Sequence, residues 1–95
     1  MKVPTVQNDE FILYLERLEQ GVFIHCDVLV RWSKEVKRRL GNCFQKLIDE
    51  IGTPIYALHI PNDGKHKKFL GMFGFKFCDR VVGLDGNKYE IYVWR

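Results

Sequence analysis

The chain is poor in the features that mark many classes of protein, and each scarcity excludes something. Its three cysteines, Cys26, Cys43 and Cys78, are odd in number, far apart and set among apolar residues. That usage argues against a disulfide framework and for reduced core thiols, and so for an intracellular setting. Paired-cysteine spacing is missing, as are two histidines one helical turn apart, so no metal site is expected. Residues 1–8 lack the apolar run of a leader, and no stretch approaches the roughly 20 apolar residues of a membrane span. Repeats, low-complexity tracts and linkers are also missing. Charge of one sign is scarce too: 15 Lys and Arg against 12 Asp and Glu leave +3, too little by itself to imply nucleic-acid binding.

What is present is material for one core. The 95 residues are 46% hydrophobic and 14% aromatic, which suffices for a single domain over 1–95 and leaves nothing for a second. Asn8 with Asp9 and Glu10 reads as a helix start, and Phe11, Tyr14, Leu15 and Leu18 then share a helical face, so the pattern predicts a helix over 8–20. A mostly buried strand over 22–30 follows, rich in Val and Ile. Ser33 caps a long helix over 33–51 in which Val36, Leu40, Cys43, Phe44, Leu47 and Ile51 recur at helical spacing, stopped by Gly52 and Pro54. A second apolar strand over 54–60 completes a βαβ unit, with the two strands parallel. Asn62 or Asp63 caps a short third helix over 63–73, ended by Gly74 in the left-handed conformation. Strands over 75–82 and 88–94 flank an Asp85-Gly86 turn and close an antiparallel hairpin. Residues 1–7 suit either an edge strand or a frayed end. The fold class expected is α/β (α+β), a mixed sheet around a central parallel βαβ unit, with Leu40, Leu47 and Phe73 in its core.

Ligands of such sheets favour the crevice beyond the carboxyl ends of the parallel strands, and both strands here lead into helix N-termini. Arg31, Lys34, Lys37 and Arg38, with Arg39, gather at one; Lys65, His66 and Lys67, with Lys68, gather at the other. Together they would attract an anion or an acidic partner. The plainer alternative is that they solvate the outer faces of two amphipathic helices. His25 and His59 lie in the two parallel strands, close enough to approach each other, yet core packing is the commoner fate of such residues. No cysteine has the surroundings of an activated nucleophile.

The stretch from 22 to 95 resembles the strand, helix, strand, helix and terminal hairpin of the GNAT family of N-acetyltransferases. The segment NDGKHKKFLGMFGF, from Asn62 to Phe75, is similar to the family's Asn-led helix that ends in an apolar residue, Gly and Phe. The run WSKEVKRRL from Trp32 to Leu40, followed by His66, Phe69, Leu70 and Gly74, resembles more closely the small GNAT-like internal virion proteins of short-tailed bacteriophages. That resemblance implies a phage origin, and a place in the host cytoplasm or the virion interior.

What the resemblance implies about chemistry is mixed. An acetyl-CoA site would fall on Val30, Ser33, Lys34, Lys37, Arg38 and Asn62. Yet where the enzymes have Arg or Gln, two residues and Gly-X-Gly around the pyrophosphate, this chain has Trp32, Ser33, Lys34, Glu35, Val36 and Lys37. Side chains there obstruct close approach of a phosphate, and Glu35 repels it. The tyrosine that commonly serves as general acid aligns with Leu70, which has no proton to give. No catalytic residue is therefore assigned and no cofactor is expected, with acetyl-CoA as the alternative. Two readings stand: a degenerate GNAT-like phage protein acting through contacts with a phage or host protein, or with copies of itself, and a minimal acetyl-CoA-dependent N-acetyltransferase. Nucleic acid and membrane are not expected partners.

Overall fold

Val36, Leu40, Phe44, Leu47 and Ile48 form the buried stripe of an 18-residue helix, α1 (Lys34–Ile51), laid across a sheet. The Ser33 hydroxyl accepts the Val36 N–H at 3.2 Å to start that helix, and Gly52 at φ 79° ends it. The computed structural model describes residues 1–52 and 54–95. Around α1 stand β1 (Val3–Gln7), β2 (Phe11–Leu18), β3 (Gly21–Val28), β4 (Ile55–His59), α2 (Gly64–Met72), β5 (Lys76–Val82) and β6 (Lys88–Trp94). The fold is α+β, with a six-stranded mixed sheet in the order β1-β2-β3-β4-β6-β5.

β3 and β4 pair in parallel with α1 as the crossover, as the βαβ spacing predicts, and the other neighbours are antiparallel. One sheet face carries Phe11, Leu13, Ile24, Ile55, Ala57 and Tyr92 into a core shared with α1 and with Leu70 of α2. Phe44 is its aromatic centre: Phe75 stacks on it at 5.3 Å, and the rings of Trp94 and Phe73 meet it edge-on at 6.2 and 6.3 Å. Leu40 and Leu47 are buried in that core, and Phe73 packs against its margin.

Residues 8–20, expected as a helix, are instead the strand β2 and its flanking turns. The apolar run FILYL satisfies a helical face and a strand alternation equally well, and pairing on both edges decides between them. β2 pairs with β3 along its whole length and with β1 on its other side, so Phe11 and Leu13 point into the core while Leu18 stays 40% exposed. Asn8, read as a helix cap, makes a turn between strands: its side-chain oxygen accepts the N–H groups of Glu10 and Phe11 at 2.8 and 3.0 Å. The turn after β2 returns through Gly21, whose φ of 142° and lack of room beside Tyr56 exclude a side chain. Residues 1–7 therefore contribute an edge strand, and the helix expected as the third, over 63–73, is the second.

Smaller corrections bear on the site. β3 ends at Val28, so Leu29 and Val30 lie beyond it and are exposed. Asp63 caps α2 by accepting the His66 N–H at 3.1 Å, leaving Asn62 in the preceding loop with φ 76°. Gly74 follows α2 at φ 85°, where a Cβ would press on the Trp94 indole.

Two truncations separate strand from helix in residues 8–20. Leu13→Ala should lower unfolding free energy by about 2–5 kcal/mol as a core deletion, whereas Leu18→Ala should cost no more than about 0.5 kcal/mol as a surface change. A helix with Leu18 on its buried face would give the reverse order in urea unfolding.

Candidate functional site

The register of β3 with β4 covers only Val22 with Ile55 and Phe23 with Tyr56. Beyond that point the strands run on to Val28 and His59 without pairing, and a cleft of about 380 Å³ opens between them. Its floor is apolar, made by Leu13, Ile24, Leu40, Phe44, Ala57 and Leu70. Lys2, His25, Cys26, Asp27, Lys65 and His66 are its ionisable lining.

Of the residues singled out from the sequence, Lys65 and His66 line this cleft, while Val30, Arg31, Ser33, Lys34, Lys37 and Arg38 do not. Asn62 and Lys67 face a separate hollow of about 320 Å³, with His59, Pro61, Asp63, Gly64 and Glu90. Of the residues expected to hold acetyl-CoA, Asn62 alone faces a hollow, and Val30, Ser33, Lys34, Lys37 and Arg38 stand at or before the start of α1. Arg39 is committed elsewhere, in a bidentate pair with Glu10 at 2.6 Å through both Nε and Nη2. Trp32 turns inward enough for its indole to lie 5.7 Å from the Phe69 ring, which ties the loop before α1 to α2.

His59 is the core histidine expected from the sequence, and the approach of His25 to it that the sequence allowed does not occur. His25 and His59 do not meet, because their strands place them on opposite sheet faces: the register sets Val22 beside Ile55, so by alternation Ile24, Ile55, Ala57 and His59 share the helix side and His25 lies on the other. His25 pairs instead with Glu16 at 3.0 Å. His59, only 2% exposed, brings its Nδ1 to 2.8 Å from Nδ1 of His66. Its Nε2 lies 3.9 Å from Glu90, whose other carboxylate oxygen is 3.5 Å from Arg80. The tautomers consistent with that carboxylate have His59 Nε2–H directed at Glu90 and His66 Nδ1–H donating to His59. A line of ionisable groups therefore runs from β5 through β6 and β4 to α2. Sequence pattern had no means of finding it, since the four residues lie on four elements and only His59 and His66 are close in the chain.

Burial, and then the nearby His59, hold the His66 pKa below its ordinary value, against the opposing charge of Asp63. His25 is likewise lowered, by burial first and Lys2 next, against Glu16 and Asp27. The Cys26 thiol in the cleft wall is pushed up to about 12, by burial and then by Asp27, so it is no nucleophile at neutral pH. Among the described residues no group of His, Cys, Asp and Glu is arranged to hold a metal ion, and every buried side-chain polar atom has a partner. No helix among them is long and apolar enough to cross a membrane.

Lowered histidine pKa values fix the sign of an acid response. Below the ordinary value of 6.5 the unfolded chain binds protons that folded His66 and His25 refuse. Their contribution is therefore complete above that pH and is lost as pH falls toward the folded pKa values. Urea midpoints should fall from pH 7 to pH 5, and His66→Asn, which retains a polar group near the Nδ1 position, should flatten the slope. An unchanged slope would mean that His66 titrates normally.

No protein-family model, curated protein or solved structure matches the chain.

Proposed function

We propose that the chain is a phage-type GNAT-like protein that has lost acetyl transfer and acts through contacts with another protein, as a virion component or a host-directed factor. Its place is the host cytoplasm or the virion interior. The observation that carries this reading is the start of α1. A pyrophosphate bound there would need free, closely approachable backbone N–H groups. Here Ser33 already accepts the Val36 N–H, no glycine clears the way, and the Lys34, Glu35 and Lys37 side chains surround the turn. At the aligned position of the general acid stands Leu70, buried and without a proton to transfer.

One observation favours the second reading, a minimal acetyl-CoA-dependent N-acetyltransferase. β3 and β4 diverge after two residue pairs and leave an apolar cleft between their carboxyl ends. An acyl-pantetheine arm would fit such a gap in chemistry and size, although the predicted phosphate contacts lie away from it.

Thermal melting with millimolar acetyl-CoA separates the two. A ligand at a hundred times its Kd stabilises the native state by about 2.7 kcal/mol, which raises Tm by on the order of 10 °C in a domain of this size. The expected shift is zero. A rise that desulfo-CoA reproduces would reinstate the cofactor and overturn the protein-contact reading.

A further inference from the structure

An unusual charge imbalance surrounds the apolar residues where β3 and β4 end. Leu29 is 53% exposed, Val30 41%, Trp32 39% and Ile60 61%. Such side chains, placed together at one end of a sheet, keep apolar area in water that a partner would cover. Arg31, Lys34, Lys37 and Arg38 are exposed beside them, and among the described residues none forms an ion pair.

Three of the acidic groups at the same end of the molecule have partners within the chain. Glu10 is held by Arg39, Asp27 accepts the Tyr14 hydroxyl at 2.9 Å, and Asp63 caps α2. Besides these three, Asp9 and Glu35 are left at this end without an ion pair among the described residues, and they are fewer than the four unpaired cations. Of these carboxylates only Glu10 is paired with a cation, and Arg31, Lys34, Lys37 and Arg38 stay without a carboxylate partner among the described residues.

We infer that this surface docks an acidic segment of a partner protein, whose carboxylates meet Arg31, Lys34, Lys37 and Arg38 and whose apolar side chains cover Leu29, Val30, Trp32 and Ile60. The inference rests on the protein-contact reading above and names the chemistry of the partner. A nucleic-acid backbone would match the cations and leave the aliphatic side chains wet. An anionic membrane would cover both, but a flat bilayer cannot follow a surface that opens into a cleft at Val28 and Lys65. A peptide segment supplies carboxylates and protruding apolar groups together.

The test is selection of a random displayed peptide library against the folded chain. Enriched peptides should combine Asp or Glu with Leu, Ile, Phe or Trp. Their affinity should fall with added salt, and should drop about tenfold or more on the double substitution Lys37→Glu and Arg38→Glu. Both positions are exposed, so Tm of the variant should match the parent, and Val30→Ser should weaken the same peptides with Tm again unchanged. Three results would overturn the inference: enrichment with no charge preference, equal binding to the charge-reversed variant, or tighter binding to single-stranded DNA or phosphatidylglycerol vesicles than to any selected peptide. Failure here is distinct from failure of the parent reading. A Tm rise with acetyl-CoA removes the parent reading whatever the library shows, whereas absence of acidic peptides with no acetyl-CoA shift removes only this surface.

Discussion

Everything distinctive about this molecule depends on the brevity of one strand pairing. β3 and β4 share two residue pairs and then part, although each continues for several residues. Full pairing would seal the sheet and bring Cys26 beside His59. Instead the rings of Phe44, Phe69, Phe73 and Phe75 line the gap, and a packed interior does not readily surrender such volume. The parallel pair thus anchors the sheet at one end and yields a cleft at the other.

The same geometry distributes polar groups in two regimes. One set of ionisable side chains runs in a line from exposed Arg80 through Glu90 to buried His59 and then to His66. The low accessibility of His59 makes that line costly to break, because an unpaired buried imidazole would lose its hydrogen bond with no water to replace it. Outside, pairing is selective. Arg39 is drawn onto Glu10 across the turn between β1 and β2, and its helical neighbours Lys37 and Arg38 stay in solvent. Exposed ion pairs contribute little to stability, so unmatched lysines and arginines cost the fold almost nothing and are free to serve recognition.

A cleft and a basic rim would ordinarily be read as one site, with the rim holding a charged head and the cleft its apolar tail. Here they are not continuous in their lining, since Ser33, Lys34, Lys37 and Arg38 stay out of the cleft wall. The self-capped start of α1 explains why: the Ser33 hydroxyl occupies the helix end from within the chain, and Trp32 leans on Phe69 between the helix and the gap. Rim and cleft are adjacent features with separate chemistry.

Local chemistry that acts over a few residues was legible in the sequence. The stripe of Val36, Leu40, Phe44 and Leu47, the Ser33 cap, Gly74 past α2, the Asp85-Gly86 turn and the parallel crossover all depend on spacing, and all are present. Residues 8–20 were not legible, because apolar side chains at nearly every position from Phe11 to Leu15 suit either period. Only the backbone hydrogen bonds of β1 and β3, from outside the segment, make it a strand. The basic residues could be named in advance, but which carboxylates would neutralise which cations could not. Glu10 reaches Arg39 across 29 positions, and the histidine line joins four elements. By itself the sequence determined α1, α2, the hairpin turn and the chemistry available; tertiary structure alone decided the strand at 11–18, the gap between β3 and β4 and the cations left unmatched, because each is set by contacts between residues far apart in the chain.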